Sequence, residues 1–237
     1  MNELLCHLNH DPPNILRITK HHLRHEELAA FHVENYVLGS SYCRQLKLKG
    51  GVCIFVQNNL RFTPLNVDEY CVDQDIEVCA IHLHSTHNKL CILAIYRSPQ
   101  GNFNTFLTKL DLVLQKFFKL NFTLVVCGDV NVNYLMESHK KNELNRILQS
   151  FNLSSIVNVP TRISPNSSST IDNFFIDNLY INEFDISPSI NGLSDHDGQI
   201  LKILTDKQCT RLHTNSAGPQ PQHLRHNTTC GSETTYI

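Results

Sequence analysis

The run Thr123-Leu124-Val125-Val126-Cys127 presents apolar side chains to both faces of any strand it forms, the pattern of a strand buried on two sides. Such a strand needs cover on each side, which restricts the chain to layered α/β architectures. One cover precedes it. Phe103, Phe106, Leu107, Leu110, Val113, Leu114 and Phe117 recur at the helical period and predict an amphipathic helix over 102–118. Further strands are expected over 14–18, over 52–56 after Gly50-Gly51, over 170–176 and over 199–204. Residues 76–84 and 90–96 read as a hairpin joined by polar 85–89. Helices are expected over 2–9, ended by Asp11-Pro12-Pro13, and over 21–30 and 142–151. Hairpins without βαβ repetition favour two mixed sheets packed face to face with helices outside. Past Asp206 the periodicity stops and polar residues, His, Gly and Pro accumulate. The chain therefore reads as one domain over 1–205 and a disordered tail over 206–237.

Composition removes several classes. A net charge of -2 argues against a protein held on nucleic acid by its overall field, so any DNA-binding face must be a local patch. The nine cysteines include no CxxC pair, and Cys53, Cys79, Cys91 and Cys127 fall inside apolar runs, where a thiol behaves as a small hydrophobe. Reduced thiols, no signal-peptide pattern at the start and no apolar run of membrane-spanning length place the chain in nucleus or cytoplasm, neither secreted nor membrane-bound. The group His21, His22 and His25 beside Glu26 and Glu27 reads as a solvated helix face.

Chemistry concentrates in two clusters, Gly128-Asp129-Val130-Asn131 and Leu193-Ser194-Asp195-His196, each expected at the C-terminal mouth of a strand. Gly128 lets the backbone turn, and Asp129 and Asn131 are expected to project to one side of an extended segment. A carboxylate there can take a proton from water while the amide holds phosphate or nucleophile, although the same residue types also build ordinary turns. Asp195 is a hard-oxygen ligand suited to Mg²⁺, and His196 an imidazole able to stabilise phosphoryl charge. Asp172 lies inside an apolar strand, where a carboxylate needs a partner, and His196 is the candidate.

In order along the chain, Arg17-Ile18-Thr19-Lys20-His21-His22-Leu23, Lys49 to Val56, Ile95-Tyr96-Arg97-Ser98-Pro99, Val126 to Asn131, Pro160-Thr161-Arg162, Ser169-Thr170-Ile171-Asp172 and Leu193 to His196 resemble the endonuclease/exonuclease/phosphatase superfamily. More narrowly, they are similar to the apurinic-type endonuclease domain of LINE-type (non-LTR) retrotransposons. The resemblance covers roughly residues 1 to 204. It implies a DNase I-like four-layer α/β/β/α sandwich and Mg²⁺-dependent nicking of DNA by a monomer, with Mn²⁺ as an alternative ion. It further implies that Asp129 activates water, Asn131 positions it, Asp195 ligates metal, and His196 paired with Asp172 binds the scissile phosphate. Tyr96 would contact that phosphate, Ser194 would support the adjacent turn and Thr161 would line the site.

Two departures follow from the same resemblance. The chain begins after the strand that ends in the family's site Asn, so unpaired strand edges, exposed apolar surface and poor solubility are expected. Where the family has a metal-binding Glu this chain has Lys20, which exchanges a ligand for a cation and weakens Mg²⁺ binding. The readings to be separated are an impaired endonuclease, a catalytically dead relic or binding module, and a phosphatase of the same superfamily.

Overall fold

The computed structural model describes residues 12–45, 49–84, 89–189, 192, 194–204 and 235–236. In chain order the first elements are β1 (Ile15–Thr19), α1 (His25–Ala30), β2 (Tyr36–Tyr42), β3 (Val52–Gln57), β4 (Phe62–Leu65), β5 (Glu77–Leu83) and β6 (Leu90–Tyr96). Then come α2 (Phe103–Lys119), β7 (Thr123–Asp129), α3 (His139–Ser150), β8 (Leu153–Ser155), β9 (Arg162–Ser164) and β10 (Ser167–Ser169). The last are β11 (Asp172–Asp177), β12 (Phe184–Ser189), β13 (Gly198–Ile203) and β14 (Thr235–Tyr236). The expected helix over 2–9 and strand link over 85–88 lie outside the described residues, as does most of 206–237. Within that expected tail, Thr235–Tyr236 pair with β13.

β7 is buried along its whole length and hydrogen-bonded on both edges, parallel to β6 and antiparallel to β11. It sits inside a six-stranded sheet of order β4-β5-β6-β7-β11-β8. The expected hairpin is the antiparallel pair β5–β6. On one face α2 and α3 bury Phe106, Leu110, Val113, Leu114, Phe117, Leu144 and Leu148 against Val78, Leu93, Val126 and Phe175. On the other face Cys79, Ile81, Ile92, Val125, Cys127 and Phe174 meet Ile15, Ile54, Val56, Leu201 and Ile203. Those partners come from two three-stranded sheets, β1-β3-β2 and β12-β13-β14. Outside the first, Leu28 of α1 and Val33 cover Leu16, Cys53 and Phe55. The result is the α/β/β/α sandwich.

Local chemistry sets the helix ends. Asn102 caps α2 by accepting from the Asn104 and Thr105 amides, and Ser138 caps α3 through the Lys141 amide, so α3 begins three residues before the expected 142. The helix expected from His21 begins instead at His25. Lys20 and His22 hold positive φ angles of 57° and 62°, and their amides donate to Gly51 and Gly50 at 2.8 Å, which extends the β1 ladder past Thr19. Among the described residues β1 has a single partner strand, β3, and no strand joins the two three-stranded sheets.

Gly128 has φ 153°, and a Cβ placed on it would lie 1.8 Å from the Ile95 carbonyl oxygen of β6. Gly128→Ala must push apart two central strands. It should lower unfolding free energy by about 3 kcal/mol or more, read as a lower urea midpoint with an unchanged slope.

Candidate active site

Strand register brings the first groups together. Asp129, the last residue of β7, stands opposite Tyr96 of β6 on one side and Asp172 of β11 on the other. Both carboxylates are nearly inaccessible, at 1% and 7% exposure. The chain turns immediately after Asp129. Its Oδ1 accepts the Asn131 amide at 3.0 Å, and Asn131 takes φ 50°. The two side chains therefore do not continue one extended segment, as the alternation rule predicted. Asn131 Nδ2 donates to the Arg97 carbonyl at 2.7 Å.

Arg97 holds this turn from behind. Its buried guanidinium donates through Nε to Val130 O and through Nη2 to Asn131 O, both at 2.8 Å, and through Nη1 to the Ser98 and Gly101 carbonyls. It lies over the rings of Phe103 and Phe106. Every one of these acceptors is a backbone carbonyl, so Arg97 is a clamp on the loop bearing Asp129 and Asn131.

The imidazole arrives on the segment leading into β13. His196 Nδ1 lies 2.8 Å from Asp172 Oδ2, and Thr161 Oγ1 donates to the same oxygen at 3.1 Å. Thr161 also accepts the Ile171 and Asp172 amides, which places it inside the site's frame with no exposure. Ser194 Oγ bonds both the amide and the carbonyl of His196 at 3.0 Å, bracing the turn. Asp172 opens β11 and His196 precedes β13. His196 therefore stands at a strand start rather than at the expected C-terminal mouth; antiparallel pairing with β7 brings Asp172 beside Asp129, and the hydrogen bond to Asp172 brings His196 to the same group.

Lys20 occupies the middle. Its Nζ is 2.8 Å from Asp129 Oδ2 and 3.5 Å from His196 Nε2, and it lies 5.5 Å from the centre of the Tyr96 ring. Burial disfavours its charge, but attraction from Asp129, reinforced by Tyr96 and Asp172, outweighs that and holds Lys20 above its ordinary value. For Asp129, burial and the adjacent Asp172 push the carboxyl up, and Lys20 counters this in part. Tyr96 is also pushed up, first by burial. Arg44 also lies over the Tyr96 ring, 5.8 Å from its centre, and is tied to the fully buried Glu77 at 2.6 Å. Glu77 further accepts the Gly51 and Gln74 amides. Sequence reasoning assigned no role to Arg44, Glu77 or Arg97. Glu77 carries the same signal as Asp172, a carboxylate in an apolar strand.

Asp195 is not brought into this group. It pairs with Arg162 at 2.7 Å with both side chains about half exposed, and that hydrogen bond lowers its carboxyl below the usual range. By residue type Asp129, Asp172 and His196, whose ligand atoms lie within 4.8 Å of one another, form an acidic and imidazole cluster able to hold a metal ion. The ammonium among them does not fit that ion. His196 Nδ1 and Asp172 Oδ2 are spent on each other, while Asp129 Oδ2 and His196 Nε2 both face Lys20. A divalent ion about 4 Å from the ammonium would meet roughly 8 kcal/mol of repulsion at an effective dielectric near 20.

A family model described as "Endonuclease-reverse transcriptase" matches residues 90–200, the span holding Tyr96, Asp129, Asn131, Thr161, Asp172 and His196. Among solved structures, the endonuclease domain of TRAS1, a telomere-specific non-LTR retrotransposon, superposes with a TM-score of 0.68 at 17% identity, covering 87% of this chain and 93% of that one. The chain has the endonuclease/exonuclease/phosphatase fold. An AP endonuclease from Archaeoglobus fulgidus (TM-score 0.61, 17% identity, 84% of this chain and 91% of that one) shares this fold. So does a 3'-5' exonuclease from Neisseria meningitidis (0.60, 14%, 84% and 92%). No curated protein sequence matches the chain. No helix among the described residues is long and apolar enough to cross a membrane.

Within this endonuclease/exonuclease/phosphatase fold the Lys20–Asp129 pair has a measurable stability. Lys20→Gln leaves Asp129 beside Asp172 with no adjacent ammonium. The cost should be about 2–3 kcal/mol, less than for a fully enclosed pair because Lys20 is partly exposed. Since pairing raises Lys20 above 10.5, the difference should be full below about pH 10.5 and shrink as pH climbs through the raised value. Urea unfolding of both proteins across that range reads it.

Proposed function

We propose that this domain is a DNA endonuclease of the non-LTR retrotransposon type whose hydrolytic step is held back by Lys20. The observation that carries the reading is the Lys20 ammonium 2.8 Å from Asp129 Oδ2, in the midst of an otherwise assembled aspartate–histidine site. The superposition on a retrotransposon endonuclease domain and the match to the endonuclease–reverse transcriptase model support DNA as the substrate.

The chain's own groups divide the work as follows. Asp172, held by Thr161, accepts from His196 Nδ1, so that Nε2 faces the cleft and the scissile phosphate. Asp129, fixed by the Arg97-clamped turn, is the acceptor for the proton of an attacking water, and Asn131 sets the geometry of that turn. Tyr96 floors the cleft. Lys20 interferes twice. Its charge neutralises Asp129 and makes it a poorer base, and it repels the divalent ion that would polarise the phosphate and supply activated water.

Supercoiled plasmid in Mg²⁺ or Mn²⁺ tests this. The unaltered chain should nick at the limit of detection, and Lys20→Glu should nick roughly tenfold faster or more. His196→Ala in the Lys20→Glu background should return the rate to baseline. A second readout does not involve turnover. Mn²⁺ should raise the melting temperature of Lys20→Glu, in which three carboxylates meet, and leave the unaltered chain unchanged. Nicking by the unaltered chain that equals Lys20→Glu and disappears with Asp129→Ala would overturn the proposed block.

A further inference from the structure

Glu77 is completely buried, and the reaction proposed above makes no use of it. It opens β5 directly opposite Tyr96, so it is the fourth member of the row that runs through Tyr96 and Asp129 to Asp172. A carboxylate has about four lone-pair positions. Those of Glu77 are taken. Oε2 accepts the Gly51 amide at 2.6 Å, and Oε1 accepts the Gln74 amide at 3.1 Å and Arg44 Nε at 2.6 Å, with Arg44 Nη2 closing the ion pair. With both oxygens engaged and no exposure, this carboxylate is placed neither to hold an ion nor to take a proton from water.

The two amides it holds lead to the two halves of one contact. The first path runs to Lys20. Gly51 has φ 89°, its carbonyl accepts the Lys20 amide at 2.8 Å, and Gly50 beside it exchanges hydrogen bonds with His22. The second path runs to Asp129. Gln74 has φ 73°, and its carbonyl accepts the Ser98 amide at 2.8 Å. The Ser98 carbonyl accepts Arg97 Nη1 at 3.1 Å, and Arg97 clamps the turn after Asp129 through Val130 and Asn131. Lys20 and Gln74 hold left-handed backbone conformations that residues other than glycine rarely adopt, so both paths depend on fixed partners. One buried carboxylate is thus the shared end of two hydrogen-bonded chains. Their other ends meet at the 2.8 Å contact between Lys20 Nζ and Asp129 Oδ2.

We propose that Glu77 is the positioning residue of this site, setting the Lys20 ammonium against Asp129 by fixing the backbones that carry them, with Arg44 matching its charge. The proposal rests on the reading that the Lys20–Asp129 contact holds back the site, and it deepens that reading by naming what maintains the contact. A carboxylate is required for both paths at once. A glutamine of the same shape has one acceptor oxygen, so in either orientation its NH2 group meets a donor, the Gly51 amide or the Gln74 and Arg44 N–H groups. It also leaves the Arg44 guanidinium, 6% exposed, without its charge partner.

The experiment compares urea midpoints of the unaltered chain, Lys20→Gln, Glu77→Gln and the double variant, with circular dichroism verifying that each folds. A positioning role makes the two changes non-additive. In Glu77→Gln, the further change Lys20→Gln should lower the midpoint by roughly half as much as in the unaltered chain, or less. Tyr134→Phe, which removes a bond to Asn145 on the helical side of the sheet, should lower it equally in both backgrounds. A merely structural Glu77 would lower the midpoint and leave the Lys20 increment intact, and that result overturns the proposal. A second measurement does not need Glu77→Gln to fold. Arg44→Lys keeps a cation and removes the forked donors, and it should speed hydrogen exchange of the Gly51, Lys20, Gln74 and Ser98 amides together, each by about tenfold or more, with Val126 in β7 unchanged. Acceleration along one path alone, or along neither, overturns the proposal. Neither measurement involves nicking, so gain of nicking in Lys20→Glu tests the parent reading separately.

Discussion

One row of backbone pairing determines where the polar groups of this domain meet. Tyr96, Asp129 and Asp172 stand abreast across β6, β7 and β11 because the apolar residues below them are in register. Val125, Val126 and Cys127 lie against Ile92, Leu93 and Ala94 on one side and against Ile176, Phe175 and Phe174 on the other. All nine are buried. A slip of one residue would turn each of these side chains to the opposite layer, so register is strongly specified. The site is in this sense a product of the core.

Placing two carboxylates side by side, out of water, creates a demand for positive charge. A divalent ion and an ammonium both answer the electrostatic part of that demand. They differ in what else they provide. The ion offers open coordination positions and lowers the pKa of bound water, whereas the ammonium offers only N–H donors. Lys20 therefore separates two roles that a metal performs together. The charge on Asp129 is met by N–H donors alone, and under the proposed reading this makes an assembled constellation compatible with an impaired reaction.

The parts legible from sequence share one property: their pattern is enforced by burial on two faces or by a strong period. The strands 52–56, 90–96 and 123–127 and the helix over 102–118 are of this kind. The unread strands are edges. β2 contains Gly39 and a register shift between Leu38 and Ser40, β4 contains Pro64 and β12 contains Pro188, so alternation is broken where one side lacks a neighbour. Site residues were legible where a carboxylate interrupts an apolar run, as with Asp172, and the same argument applied to Glu77 would have found the Arg44 pair. Arg97 is harder to read, because its partners are backbone carbonyls that no side-chain pattern announces. The early helix start at His21 failed for a related reason. The hydrogen bonds from Lys20 and His22 to Gly51 and Gly50 are long-range and outcompete local helical ones.

Two acidic residues to which the family resemblance gives roles, water activation for Asp129 and metal ligation for Asp195, are each engaged by a basic side chain of the chain itself, and the two engagements are not equivalent. The Arg162–Asp195 pair is about half exposed on both sides. Such a pair contributes little, commonly under about 1 kcal/mol, so Asp195 can leave it at small cost. Asp129 has no such freedom. It is shielded from water, stands beside Asp172, and accepts its compensating charge from a lysine whose backbone is locked by hydrogen bonds. Removing that cation exposes the full cost of an unpaired buried carboxylate, whereas removing Arg162 leaves a carboxylate that water can solvate. The barrier between this site and a metal-binding one is therefore concentrated at a single position, Lys20.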